Sequence, residues 1–194
     1  MAISGTRAGR PRAPRWPVRG GALLHPYADR DVVTGQGTLA LEILDEWPEV
    51  ETLVVAIGGG GLIAGVAEAA KLARPGIRVV GVEARGCPTL WTCRQLGRIV
   101  ALENVRTRVP ILAARSTEPL NFALIERHVD EIVLVDEDVV QRTAEQAWQE
   151  AGLAIEYGAA TALAAVSQQC FARRADERIA VVLCGSGIDG VSRG

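Results

Sequence analysis

The chain has few of the side chains that bind metal ions. It contains four cysteines (Cys87, Cys93, Cys170 and Cys184) and two histidines, with no C-x-x-C motif and no histidine pair at helical spacing. This pattern excludes a structural zinc site of the usual ligand spacing. We interpret the cysteines as mostly buried, reduced thiols, which is typical of a cytoplasmic protein.

Long apolar runs and an excess of charge of one sign are also missing. The longest uncharged apolar run, Leu53–Ala67, has 15 residues, whereas a membrane-spanning helix needs about 20. The formal net charge of −2 predicts no general affinity for nucleic acid or acidic lipid. Of the 194 residues, 48% are hydrophobic and 23% are charged, which predicts one folded globular domain.

Residues 1–20 differ in composition from the rest of the chain. They contain five arginines and three prolines, but no acidic residue and no apolar periodicity. Such a segment is compatible with an organellar targeting sequence or a basic arm for nucleic acid, although the prolines would interrupt an amphipathic helix. We favour an unstructured or non-native leader, followed by a folded domain over residues 21–194.

Beyond the leader, the hydrophobic pattern alternates between strands and helices. Short β-branched runs predict strands at 52–57, 77–83, 130–136 and 178–184. The strand at 52–57 does not alternate between apolar and polar residues, so we expect it to be buried on both faces. Helices are predicted at 37–47, 62–73, 88–96, 119–127, 138–151 and 159–171. This order of elements predicts an α/β fold with a mainly parallel, open sheet flanked by helices.

Two of these helices carry more detailed expectations. Thr38 is predicted to be the N-cap of the first helix, because its hydroxyl can accept from a free backbone N–H. In the helix over 138–151, the spacing places four side chains toward the core: Val140, Ala144, Ala147 and Trp148.

Four consecutive glycines, at 58–61, separate a strand from a helix. Such a turn exposes backbone N–H groups at the positive end of the helix and so predicts a phosphate site. No Lys-Ser or Lys-Thr follows, which excludes a nucleotide P-loop. The spacing Gly59-x-Gly61-x-x-Ala64, with Glu83 ending the next strand, also fits a dinucleotide fingerprint. A tightly packed turn without a ligand is a further alternative.

Longer segments decide between these alternatives. The chain reads HPYADRDVVTGQGTLALEILDEWP and then VVAIGGGGLIAGVAEAAKLARPGIRVVGVEARGCP, followed by LNFALIERHVDEIVLVDED, GAATALAAV and IAVVLCG. These segments, in this order, strongly resemble the threonine/serine dehydratases (ammonia-lyases) that depend on pyridoxal phosphate. The resemblance covers roughly residues 21–190. It implies the large domain of fold type II (tryptophan synthase β-like) enzymes.

The resemblance assigns cofactor-binding residues by position. Cys184 matches the small polar residue that contacts the pyridine nitrogen of pyridoxal phosphate. Glu83 matches the carboxylate that some members use for a divalent cation, but the acid usually found a few residues later is absent. Glu156 resembles the glutamate of the family's Glu-x-x-Gly-Ala pattern, but the segment here is one residue shorter than that pattern. Backbone amides would hold the phosphate at Gly58, Gly59, Gly60, Gly61 and Leu62.

The catalytic lysine of the family has no counterpart in this chain. In relatives it forms a Schiff base with the cofactor, and it lies in a Ser-x-Lys-x-Arg-Gly segment upstream of the matching region. The only lysine here is Lys71, about three turns into the helix and roughly 15 Å beyond the phosphate end. We therefore assign no catalytic residue.

The implied reaction is elimination of water from L-threonine or L-serine, with deamination to a 2-oxo acid and ammonia. Without the lysine, we expect the chain alone to be inactive in it. The alternatives are a domain that binds a phosphate ligand without catalysis and a dinucleotide-binding domain of the NAD type. We expect the chain to form a homo-oligomer or to pair with a complementing N-terminal half.

Overall fold

Strands and helices alternate through residues 25–191, which are the residues that the computed structural model describes. The predicted leader, residues 1–20, lies outside this range. The helices are Arg30–Glu46 (α1), Gly61–Ala73 (α2), Thr89–Leu96 (α3), Pro119–His128 (α4), Glu137–Ala151 (α5) and Tyr157–Ser167 (α6). The strands are Thr52–Ala56 (β1), Arg78–Ala84 (β2), Glu131–Val135 (β3) and Ile179–Val181 (β4). The elements predicted at 159–171 and 178–184 are thus shorter than expected.

The four strands form one parallel sheet in the order β3-β2-β1-β4. Strand β1 lies inside the sheet, with Val54 opposite Val80 on one side and Val181 on the other. All five residues of β1 are buried, as expected for a parallel strand covered on both faces. The predicted α/β fold with a parallel open sheet is confirmed.

Helices cover both faces of the sheet. Leu53 and Val55 of β1 point to a core that they share with α1, α2 and α4. Val54 and Ala56, which alternate with them, point to a second core formed with α5 and α6. The structure is therefore a three-layer arrangement, and the carboxyl ends of all four strands meet at one edge of the sheet.

Helix α1 begins earlier than predicted. It starts at Arg30, and the N-cap is Asp29, whose carboxylate accepts the N–H of Asp31 at 2.9 Å. The expected cap, Thr38, lies inside the helix and donates its hydroxyl to the Gly35 carbonyl at 3.0 Å. The prediction was wrong because the glycines of the GQG segment lower helix propensity, and packing against α2 overrides that cost.

Close packing of α1 against α2 depends on glycine. A Cβ at Gly65 would overlap the carbonyl oxygen of Val33, and a Cβ at Gly37 would lie 3.0 Å from the Cβ of Ala69. Both glycines are buried. They let the two helices approach more closely than larger residues would allow, so α2 is held firmly beneath the glycine-rich turn.

Helix α5 presents a narrower apolar stripe than predicted. Val140, Ala144 and Ala147 are buried, but Trp148 is 37% exposed. Trp148 lies at the border of the stripe in the last turn of the helix, so only part of its ring reaches the core. Within residues 25–191, no helix is both long and apolar enough to cross a membrane.

We predict opposite effects on stability for two glycine substitutions in this helix pair. Gly65→Ala should lower the free energy of unfolding by about 1–3 kcal/mol, because the added methyl group overlaps α1. Gly35→Ala should raise it by about 0.5–1 kcal/mol, because Gly35 lies in α1 with open space around it. Urea unfolding followed by circular dichroism measures both. Equal effects would contradict the proposed close packing.

Candidate phosphate site at the glycine loop

The glycine loop, residues 58–61, follows the inner strand β1 and leads directly into α2. Gly60 is the N-cap residue of α2, with φ of +90°, and none of the described side chains caps the helix. That φ lies in the left-handed region, where a residue with a Cβ is strained. Glycine is thus required at this position by the backbone itself.

Backbone N–H groups around the loop have no partner within the described part of the chain. The first hydrogen bond of α2 runs from the Ala64 N–H to the Gly60 carbonyl at 3.0 Å, and residues 58–63 donate none. The start of a helix carries a partial positive charge from the aligned peptide dipoles. The loop therefore offers several donors and a favourable field to one anion.

A cavity of about 260 Å³ lies over the glycine loop. All six residues predicted to bind the cofactor line it, so the structure brings the predicted set together. None of the described residues that line it is charged. The lining consists of Pro26, Tyr27, Gln36, Ala56, Gly58, Gly59, Gly60, Gly61, Leu62, Ile63, Ile111, Leu112 and Cys184. We call this cavity the phosphate pocket.

Cys184 reaches the phosphate pocket through the strand order. Strand β4 pairs with β1, and the Val182 N–H donates to the Val54 carbonyl at 2.9 Å, so Cys184 emerges beside the glycine loop. Although the residue is exposed, surrounding protein desolvates the thiolate and the Glu156 carboxylate lies nearby; both raise the pKa of the Cys184 thiol. The thiol thus stays neutral at physiological pH.

Glu156, the weak match to the family pattern, packs against the glycine-rich turn after Cys184. A Cβ at Gly185 would overlap the Glu156 carboxylate, and a Cβ at Gly187 would lie 3.0 Å from the Glu156 Cβ. The Glu156 N–H also donates to the Gly185 carbonyl at 3.2 Å. These contacts fix the turn that carries Cys184.

Tyr27 was not predicted as part of the site. Its ring lies so close to Gly59 that a Cβ there would overlap the ring carbons, and a Cβ at Gly61 would lie 2.7 Å from the Tyr27 carbonyl oxygen. Ile111 and Leu112 close the pocket from another side and were also not predicted. No short sequence motif marks these residues, because each reaches the loop from a distant part of the chain.

Glu83 was considered as a metal ligand and as the acid of a dinucleotide fingerprint. In the structure it has another role. It is fully buried, and its two carboxylate oxygens accept the N–H groups of Leu90 and Trp91, each at 2.8 Å. Burial raises its pKa to about 7, although these two hydrogen bonds oppose the shift. Glu83 thus caps α3, and both oxygens already have partners. Within residues 25–191, no group of three or more His, Cys, Asp or Glu side chains is arranged to hold a metal ion.

Lys71 lies in the last turns of α2, away from the glycine loop. Its ammonium group pairs with the Asp130 carboxylate at 2.9 Å. The same carboxylate oxygen, Oδ2, also accepts the Val79 N–H at 2.7 Å, which ties α2 to the sheet. The ion pair gives Lys71 a structural role.

Comparison with known proteins places this site in a family. A profile described as pyridoxal-phosphate dependent enzyme matches residues 14–185. The chain belongs to this family. Its enzymes use pyridoxal phosphate, and the predicted resemblance to fold type II enzymes is confirmed.

Individual relatives agree with this assignment. The chain is 34% identical over 170 residues to the L-threonine ammonia-lyase of Thermotoga maritima, covering 88% of this chain and 42% of that protein. It is 32% identical over 174 residues to a serine racemase of Oryza sativa, covering 88% and 51%. The solved structure of maize serine racemase superposes with a TM-score of 0.82 at 30% identity, covering 87% and 52%. The chain thus spans about half the length of these relatives.

The residues present fit the phosphate end of this cofactor. Phosphate requires several donors at one place, and residues 58–63, whose N–H groups have no partner within residues 25–191, all line the phosphate pocket. The glycines leave the backbone open to close approach. The neutral thiol of Cys184, on the same pocket, suits a contact with a ring nitrogen that is not fully protonated.

Glu83 should make the stability of the protein depend on pH. Its folded-state pKa of about 7 lies above its ordinary value of 4.5, so the folded protein binds the proton more tightly than the unfolded chain. The free energy of unfolding should therefore fall as pH rises from 5 to 7, by on the order of 2 kcal/mol, and level off above that.

The matched variant is Glu83→Gln, which cannot titrate. Urea unfolding at pH 5, 6, 7 and 8 should give a difference in free energy, wild type minus variant, that declines with pH. Parallel profiles for the two proteins would contradict the raised pKa.

Proposed function

We propose that the phosphate pocket binds pyridoxal phosphate, with the backbone amides of Gly58–Leu62 on its phosphate and Cys184 beside its pyridine nitrogen. The observation that carries this proposal is that residues 58–63, whose N–H groups have no partner within residues 25–191, all line one cavity without charged side chains. A phosphate dianion would satisfy these donors together and would lie at the positive end of α2.

We further propose the reaction class of the complete enzyme. The similarity to an L-threonine ammonia-lyase and to serine racemases supports β-hydroxy amino acids as substrates. We favour elimination of water with deamination, giving a 2-oxo acid and ammonia. When bound, the cofactor ring supplies the electron sink for the substrate's α-carbon. The neutral Cys184 thiol would leave the ring nitrogen unprotonated, which suits elimination.

Within this assignment, we propose that the chain alone binds the cofactor without catalysis. Its only lysine, Lys71, is paired with Asp130 and lies roughly 15 Å from the glycine loop. A lysine able to link to the cofactor and move the substrate's α-proton would lie outside these 194 residues. The four unpaired cysteines are compatible with a reducing, cytoplasmic location.

A second candidate function is binding of another phosphate ligand, without pyridoxal chemistry. The uncharged lining of the pocket favours it, because backbone donors recognise a phosphate group regardless of what the group is attached to. The dinucleotide alternative is less well supported, since both Glu83 oxygens are already engaged by α3. A ribose hydroxyl would have to displace these hydrogen bonds.

Backbone donation to phosphate can be tested at Leu62, the second residue of α2. Leu62→Pro removes an N–H that has no partner in the helix and is tolerated in a first turn. Leu62→Ala removes the side chain and keeps the N–H. We expect Leu62→Pro to weaken pyridoxal-phosphate binding at least tenfold relative to Leu62→Ala.

Calorimetric titration with pyridoxal phosphate and with pyridoxal separates the contributions of phosphate and ring. Pyridoxal should bind equally weakly to both variants. Equal affinity of the two variants for pyridoxal phosphate would contradict donation by residue 62. A preference for inorganic phosphate over pyridoxal phosphate would favour the second candidate function.

The role of Lys71 can be tested by trapping. After saturation with pyridoxal phosphate, borohydride reduction and peptide mass mapping should find no stoichiometric adduct at Lys71. Lys71→Arg, which keeps the ion pair with Asp130, should bind the cofactor with unchanged affinity. Neither protein should release 2-oxo acid from L-threonine or L-serine. A stoichiometric Lys71 adduct accompanied by activity would overturn the assignment.

A further inference from the structure

Two polar side chains hold the glycine loop from behind. The Thr117 hydroxyl donates to the Gly59 carbonyl at 3.0 Å, and the Asn121 side-chain amide donates to the same oxygen at 3.0 Å. Asn121 is fully buried and Thr117 is 3% exposed. Asn121 belongs to α4, which packs against α2. We call Thr117 and Asn121 the carbonyl clamp.

The carbonyl clamp determines where the next N–H points. In a planar trans peptide, the C=O of one residue and the N–H of the following residue point in opposite directions. Because the Gly59 oxygen faces Thr117 and Asn121, the Gly60 N–H faces away from them. Gly60 lines the phosphate pocket and neither clamp residue does. The clamp is therefore on the side of the loop opposite the ligand.

Asn121 also holds the segment that covers the loop. Its side-chain amide donates a second hydrogen bond to the Tyr27 carbonyl at 2.6 Å. The ring of Tyr27 lies against Gly59 and lines the phosphate pocket. One buried amide thus fixes both the floor of the pocket and one of its walls.

The side-chain oxygen of Asn121 makes no hydrogen bond within residues 25–191, which indicates that the residue is present for its N–H donors. Both partners of the amide nitrogen are carbonyl oxygens, which fixes the orientation of the amide. The other amide atom, Oδ1, is buried and has no partner within residues 25–191. An unpaired buried acceptor costs about 1–3 kcal/mol, a cost that an apolar residue of similar size would avoid.

We propose that Thr117 and Asn121 are positioning residues for cofactor phosphate, acting through the Gly59 carbonyl to aim the Gly60 N–H into the phosphate pocket. The identity of the ligand rests on the proposed function, whereas the orientation of the Gly60 N–H depends on the loop and the carbonyl clamp alone. Losing the clamp should free the Gly59–Gly60 peptide to rotate, so that binding the phosphate has to order it first.

The test compares Thr117→Val, which removes the donor, with Thr117→Ser, which keeps it. Thr117→Val should weaken pyridoxal-phosphate binding about fivefold, roughly the contribution of one hydrogen bond. It should leave pyridoxal binding unchanged, and Thr117→Ser should match the wild type. Asn121→Asp, which replaces the amide nitrogen that donates both hydrogen bonds with a carboxylate oxygen, should have a larger effect. Thr143→Val, in α5 on the opposite face of the sheet, is the control for loss of a buried hydroxyl.

A measurement without ligand separates this inference from the proposed function. In Thr117→Val, the backbone ¹⁵N order parameters of Gly59, Gly60 and Gly61 should fall from the rigid value of about 0.85 toward about 0.6. In Thr117→Ser they should stay at the rigid value. If no protein binds pyridoxal phosphate but the order parameters change as expected, the proposed function fails and the clamp stands. If Thr117→Val and Thr117→Ser agree in both order and affinity, the clamp is overturned.

Discussion

The start of helix α2 imposes the constraint on which the rest of the structure depends. A helix leaves its first N–H groups without intrahelical partners, and here no side chain among residues 25–191 caps them. Glycines keep side chains away from these groups, and the inner strand β1 carries them to the carboxyl edge of the sheet. What remains is a concentrated set of donors whose natural partner is an anion.

Two groups of contacts hold these N–H donors in place. Close contact between α1 and α2, through Gly37 and Gly65, fixes the helix whose end forms the site. From α4 and the turn before it, Asn121 and Thr117 fix the loop itself through the Gly59 carbonyl. Backbone donors are effective ligands only when their direction is fixed beforehand, because binding otherwise has to order them.

The part of the site that follows from local sequence was predictable. The four glycines predict a phosphate site, and the parallel pairing of β4 with β1 places Cys184 beside it. The contacts that Tyr27 and Asn121 make with the loop were not predictable in this way, since each residue meets the loop across a long stretch of chain and no local pattern specifies the contact. The same limit explains the error at α1, where glycines that disfavour a helix locally are required for packing.

Binding of the phosphate and chemistry at the α-carbon are separable in this structure. The glycine loop, Cys184 and the carbonyl clamp all lie within one folded unit and need no charged side chain. The lysine chemistry needs a residue that this unit lacks, because Lys71 is committed to Asp130 at the far end of α2. The chain spans about half the length of these relatives, and the proposed phosphate site lies entirely within the part that it covers. The proposed chemistry would therefore require a lysine that these 194 residues do not place at the phosphate pocket.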